Sequence, residues 1–244
     1  MAQRERPTIG IITGSGPEAG LDLWGKVLSR NQAALKEKFR GDLDAPRTVI
    51  LSEPLLGLSM ELERNAEIVW ASLRQTVAAM AVQADTFAIA CNTLNWFAPQ
   101  IKAMNLPAEF VGFQSVVADW LQQSGTKKIG ILGAAAVTEM GEWSAYRDLV
   151  RHAAVEVPAN APALHELIYD VKRLGSADPT LRPRLLELID AMDADTVLLA
   201  CTELPLIADI DTDKTLVDVT DLVAEALVRR SLASQELPSG QQAA

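Results

Sequence analysis

Cys91 and Cys201 are the only cysteines in the chain, and each stands at the same kind of place. Each follows four apolar residues of strand character, Phe87-Ala88-Ile89-Ala90 and Val197-Leu198-Leu199-Ala200. Each precedes polar residues suited to opening a helix: Asn92 and Thr93 in one case, Thr202, Glu203, Leu204 and Pro205 in the other. Side chains of these types cap helices, and the backbone amides there can receive an anion. A thiol facing a helix N-terminus is expected below its usual pKa of about 8.5, which brings thiolate within reach near neutral pH. One such cysteine reads as an ordinary core residue. Two at matching points read as a pair with acid–base work to do.

A second cluster follows the first apolar run: Gly14, Ser15, Gly16 and Pro17. Glycine lets backbone approach a ligand closely, and proline suits the first turn of a helix. The run is not a dinucleotide fingerprint, because after Gly14 and Gly16 the next glycine, Gly20, falls one residue late and Pro17 intervenes. Nor is Gly20 to Lys26 a phosphate-binding loop, since Val27 stands where a magnesium-binding Ser or Thr is needed. The two cysteines are too few and too far apart for a structural zinc site, so no metal is expected. His152 and His165 have no partner spacing.

These residues require a scaffold of alternating elements. Short apolar runs predict strands over 8–13, 47–52, 86–90, 109–113, 128–133, 196–200 and 215–219. Between them, helical patterning covers 21–38, 60–83, 115–123, 139–152 and 181–192. The alternation implies βαβ units and mainly parallel sheets. The chain also resembles itself. Thr8-Ile9-Gly10-Ile11-Ile12 is echoed by Lys128-Ile129-Gly130-Ile131-Leu132, and the strand ending in Cys91 is echoed by the one ending in Cys201. The expected fold class is therefore α/β, with two similar Rossmann-like domains, pseudo-duplicated, and the site in the cleft between them. Ligands of open α/β sheets sit beyond the carboxyl ends of the strands, which puts both thiols on that cleft. The first half is expected over 1–112 plus 220–231, the second over 113–219, with a disordered tail over 232–244.

Composition narrows the function. A net charge of −10 argues against nucleic acid as a partner, because phosphate binding needs a basic patch. The most apolar stretch, 77–91, is interrupted by Gln83 and Asp85 and is too short to span a membrane. The N-terminal residues 1–7 are polar and do not form a signal peptide, so a cytoplasmic protein with reduced thiols is expected.

At these motifs the sequence resembles the aspartate/glutamate racemase family. Thr8-Ile9-Gly10-Ile11-Ile12-Thr13-Gly14-Ser15-Gly16-Pro17 is similar to the family's opening strand and turn, and Cys91-Asn92-Thr93 and Cys201-Thr202-Glu203 to its paired cysteine motifs. The trailing Leu204-Pro205 resembles the aspartate racemase branch. The resemblance implies two α/β domains, a small amino-acid substrate, no pyridoxal phosphate or other cofactor, and a homodimer. One cysteine takes the α-proton as thiolate, and the other returns a proton to the opposite face. Asn92, Thr93, Thr202, Glu203 and the Gly14–Ser15–Gly16 turn would hold the α-carboxylate and amino group, and Thr138 matches a threonine that faces the cleft. The family's second basic residue, on the helix before the last glycine, fits Arg173, with Lys172 beside it.

The sequence departs from the family at Thr13, where a glycine is usual, and at Ser15, where methionine is common. The arginine expected after the second strand is missing: residues 52–59 hold no cation and the next is Arg64. That loop, with Glu53 and leucines, suits a substrate less acidic or more apolar than aspartate. Two other functions stay open. One is decarboxylation or cis–trans isomerisation of a small diacid in the same cleft, and the other is non-catalytic binding of a small acid.

Overall fold

The computed structural model describes residues 6–233. The first sheet holds β1 (Ile9–Thr13), β2 (Thr48–Ser52), β3 (Thr86–Ile89) and β4 (Glu109–Phe110), in the order β2-β1-β3-β4 with every pair parallel. The second holds β5 (Lys128–Leu132), β6 (Ala154–Glu156), β7 (Thr196–Leu199) and β8 (Thr215–Asp218), in the order β6-β5-β7-β8, again all parallel. Strand for strand the two orders are the same, so the fold is the pseudo-duplicated α/β pair expected. β1 and β3 are buried at every position, whereas the edge strand β2 alternates between half-buried and exposed. Parallel sheets covered on both faces require such continuous apolar central strands.

The helices cover the sheets through residues spaced three and four apart. α1 (Pro17–Leu35) buries Ala19, Leu23 and Val27, and α2 (Leu62–Ala81) buries Val69, Leu73, Val77 and Met80. The short α3 (Ala98–Ala103) precedes β4, and α4 (Phe113–Ser124) buries Phe113, Val117 and Leu121. Gly125 stops α4 in the left-handed conformation, φ 70°, that glycine adopts without a Cβ penalty. α5 (Ala135–Thr138), α6 (Ala161–Leu174) and α7 (Leu181–Asp190) belong to the second half. The last helix, α8 (Val219–Ala233), turns back to pack on α1, α4, β1 and β3.

One apolar cluster joins the halves. Ile9, Ile11 and Ala88 of the first sheet share it with Ile129, Ile131 and Leu198 of the second, and with Val223 and Leu227 of α8. Each fully buried side chain of this size contributes about 1.5–3 kcal/mol, so the two sheets are held as one folded unit. Among the described residues no helix is long and apolar enough to cross a membrane.

The helix expected over 139–152 does not form. After α5 the chain runs through turns to a 3₁₀ segment, Arg147–Arg151. Met140 takes φ 52°, and Ser144 Oγ donates to the Val137 carbonyl at 2.8 Å and accepts from Tyr146 N–H at 3.1 Å. Such side-chain bonds to nearby backbone compete with the helical ladder. The three-residue β6 has no counterpart among the expected strands, and α6 was placed only through the family resemblance. The expected tail, 232–244, lies outside the described residues from 234 onward, while 232 and 233 belong to α8.

Candidate active site

The strand order reverses between β1 and β3, and again between β5 and β7, because in each half the chain builds outward to one side and then to the other. The crevice at such a switch point is where open α/β sheets bind ligands. Cys91 lies just beyond β3 and Cys201 just beyond β7, each 7% exposed. Strand-like backbone bonding continues up to them: Ala90 N–H donates to the Ile12 carbonyl at 2.8 Å, and Ala200 N–H to the Leu132 carbonyl at 2.7 Å. Asn95, which no motif singled out, accepts from Phe113 N–H and donates to the Cys91 carbonyl, both at 2.8 Å. It pins the thiol-bearing turn to the start of α4.

Beyond each cysteine the chain forms a short 3₁₀ turn rather than an α-helix, Thr93–Phe97 in one half and Leu204–Ile207 in the other, and neither preceding residue caps it with its side chain. In the first half that turn runs on into α3 (Ala98–Ala103). For Cys201 the expected lowering is reversed. Burial pushes its thiol well above the usual range, the Glu203 carboxylate pushes further, and the Lys172 ammonium only partly opposes them. Sγ of Cys201 donates to Glu203 Oε2 at 3.0 Å, and Thr202 Oγ1 donates to the same oxygen at 3.2 Å.

This has a consequence for stability. A thiol raised in the folded state is protonated in both states below its unfolded pKa of about 8.5 and opposes folding above it. Lys172, also raised, loses its favourable charge at still higher pH, so the two act in the same direction. Folding stability is expected to fall as pH rises from about 8.5, with a shallower fall in Cys201→Ser. Urea midpoints between pH 7 and 10 check this, and equal slopes in both proteins would contradict it.

Cys91 has a different, neutral surround. Its Sγ lies 3.5 Å from Ser15 Oγ and 3.7 Å from Ser59 Oγ, and the two hydroxyls are 2.8 Å apart. The departure from methionine at Ser15 thus coincides with a serine pair that can hydrogen-bond the thiol. Gly14 and Gly16 take φ 123° and 100°, backbone open to glycine. A Cβ on Gly14 would strike the Glu53 backbone, and one on Gly16 would strike Glu203 Oε1. Thr13, the other departure, fills the space against Gly20, where a Cβ would meet the threonine side chain.

Lys172 joins the halves. Its Nζ is 2.8 Å from Glu203 Oε1 and donates to the Ser15 carbonyl at 3.2 Å. Burial works against its charge, but Glu203 and the two cysteines more than offset this and raise its pKa. Arg173, favoured from the sequence, is not brought to the site: its side chain is 71% exposed and bound to Asp170 at 2.8 Å. The helix decides this, since successive residues turn by about 100°. Lys172 lies four residues from buried Ile168, whereas Arg173 lies four from exposed Tyr169.

Asn92 Oδ1 accepts from the Tyr146 hydroxyl, while Asn92 Nδ2 is buried without a protein partner. Tyr146 is fully buried, and burial first, then the two thiols, raises its phenol well above its usual pKa. Tyr146→Phe is expected to cost about 1–3 kcal/mol by stranding the amide oxygen, which an unfolding titration would read. An unchanged midpoint would mean that water replaces the hydroxyl. Thr93 and Thr202 are buried. Thr138 is buried too, but its hydroxyl bonds back to Ala134 and Ala135 at 3.4 Å. Among the described residues no three His, Cys, Asp or Glu side chains converge as a metal-binding group. Tyr146, Ser59 and Asn95 left no local signal that would have singled them out.

Fold and site together define a duplicated α/β protein with one thiol at the switch point of each half. The family model for Asp/Glu/Hydantoin racemase matches residues 12–229, and the chain belongs to that family. Solved structures agree on the fold. An aspartate racemase from Picrophilus torridus superposes with a TM-score of 0.78 at 23% identity, covering 92% of this chain and 94% of that one. A putative Asp/Glu racemase from Yersinia pestis gives 0.72 at 21%, covering 93% and 99%. A glutamate racemase from Thermus thermophilus gives 0.56 at 19%, covering 97% and 85%. No curated protein matches the chain.

Proposed function

We propose that this protein is an amino-acid racemase that needs no added cofactor and uses Cys91 and Cys201 as its acid–base pair. One cysteine, as thiolate, takes the α-proton and becomes a thiol. The other, as thiol, gives its proton to the opposite face and becomes a thiolate, so charge balances and the roles reverse for the other enantiomer. Racemisation needs one proton-transfer group on each face of the α-carbon. The observation that carries the reading is that each half contributes one buried thiol at the end of its third strand. Lys172 and Asn92 Nδ2 are suited to hold the α-carboxylate and to stabilise the charge that develops as the proton leaves. Glu203 and Thr202 are suited to the amino group. The homodimer implied by the resemblance belongs to the same reading, and sedimentation would check it.

Proton NMR in heavy water, with single-enantiomer amino acids and nothing else added, tests the reaction directly. Loss of the α-proton signal with appearance of the other enantiomer is expected. No exchange across a broad panel would overturn the reading.

A further inference from the structure

We infer that the site takes an amino acid with one carboxylate and an uncharged side chain rather than a dicarboxylate; this rests on the racemase reading above. The charged side chains bonded at the thiols are Lys172 and Glu203, one of each sign, and they are already paired at 2.8 Å. The other groups described there, Ser15, Ser59, Thr202, Asn92 and Tyr146, are neutral. The thiolate that starts a turnover adds one negative charge; apart from it these groups carry no net charge. A zwitterionic amino acid carries none either. Its carboxylate can take the place of Glu203 at Lys172 while its ammonium takes the place of Lys172 at Glu203, so Lys172 and Glu203 each keep a partner. A second carboxylate would be desolvated with no cation left over, which is strongly unfavourable.

Among the described residues no second cation is bonded at the thiols or at the Lys172–Glu203 pair. In the loop after β2 the charged residue is Glu53, whose Oε1 caps Leu55 N–H at 2.9 Å. Arg173 is held outward by Asp170. Beyond Ser59 a recess of about 250 Å³ opens at Met60 and reaches Trp143. Its lining includes one guanidinium, Arg64, against three carboxylates, Glu61, Glu63 and Glu139.

The near-isosteric pairs asparagine with aspartate and glutamine with glutamate isolate the charge. Two readouts apply: α-proton exchange in heavy water, and protection of the thiols from iodoacetamide. The amides, with methionine as an apolar member, are expected to exceed the acids by about tenfold or more in both. Glu203→Gln leaves Lys172 unbalanced, and protection by the acids relative to the amides is expected to rise by about tenfold. Acids that equal or exceed the amides in the unaltered protein would overturn the inference and leave the racemase reading standing. An unchanged ratio in Glu203→Gln would overturn the charge-balance basis. Protection by the amides without exchange would support the ligand class and sink the racemase reading. Neither exchange nor protection by any amino acid would sink both.

Discussion

Serine in place of Cys91 is expected to lower racemisation by about 10²–10⁴-fold in both directions, and serine in place of Cys201 to do the same. The hydroxyl is close in size to the thiol but far less acidic, so each variant keeps the shape of the site and loses proton transfer on one face. The environments differ, with serine hydroxyls around Cys91 and a carboxylate on Cys201, yet both faces must work in every turnover. A single remaining thiol can still remove a proton and return deuterium to the same face. Slow α-exchange with retained configuration is therefore expected from the enantiomer whose proton that thiol meets. NMR for exchange and polarimetry for inversion separate the two outcomes. Full racemisation by either variant would end the two-thiol mechanism.

Removal of the Lys172 ammonium in Lys172→Met is expected to destabilise the fold by about 3–5 kcal/mol. The Glu203 side chain is 4% exposed and that of Lys172 is 20% exposed. Breaking the pair leaves a buried carboxylate uncompensated, and that penalty exceeds the value of the pair itself. The double variant Lys172→Met/Glu203→Gln removes both charges and is expected to recover most of the loss. Urea unfolding of the three proteins checks this. If Lys172→Met unfolds at the unaltered midpoint, Glu203 is neutralised in some other way and the pair carries no such penalty.

Each thiol is nearly enclosed, at 7% exposure, so under the proposed reaction an amino acid would reach both only when the polar groups between the halves separate. The Lys172 bond to the Ser15 carbonyl is one such link, and the pair with Glu203 holds the ammonium in place for it. A zwitterion that replaces them offers the same charges in return.

Much of this is legible in the sequence. Strands β1 to β5, β7 and β8 stand where short apolar runs required them, because a buried parallel strand must be apolar on both faces. The echo between the two cysteine strands marked the duplication, and Pro17 marked a first helical turn, which is where α1 begins. These are local properties, set by a residue and its near neighbours.

What the tertiary structure alone decided are the contacts between distant segments. Ser59 meets Ser15 across 44 residues, Tyr146 meets Asn92 across 54, and Lys172 reaches Ser15 across 157. No periodicity joins such positions. The inward turn of Lys172 and outward turn of Arg173 depended on which face of α6 the core covers. The state of the Cys201 thiol was decided in the same way. Its local sequence promised a helix N-terminus and a lowered pKa, but folding surrounds it with apolar atoms and sets a carboxylate against it. The carboxylate is two residues away, but the burial of that sulfur and the Lys172 ammonium beside it come from segments that only folding brings together.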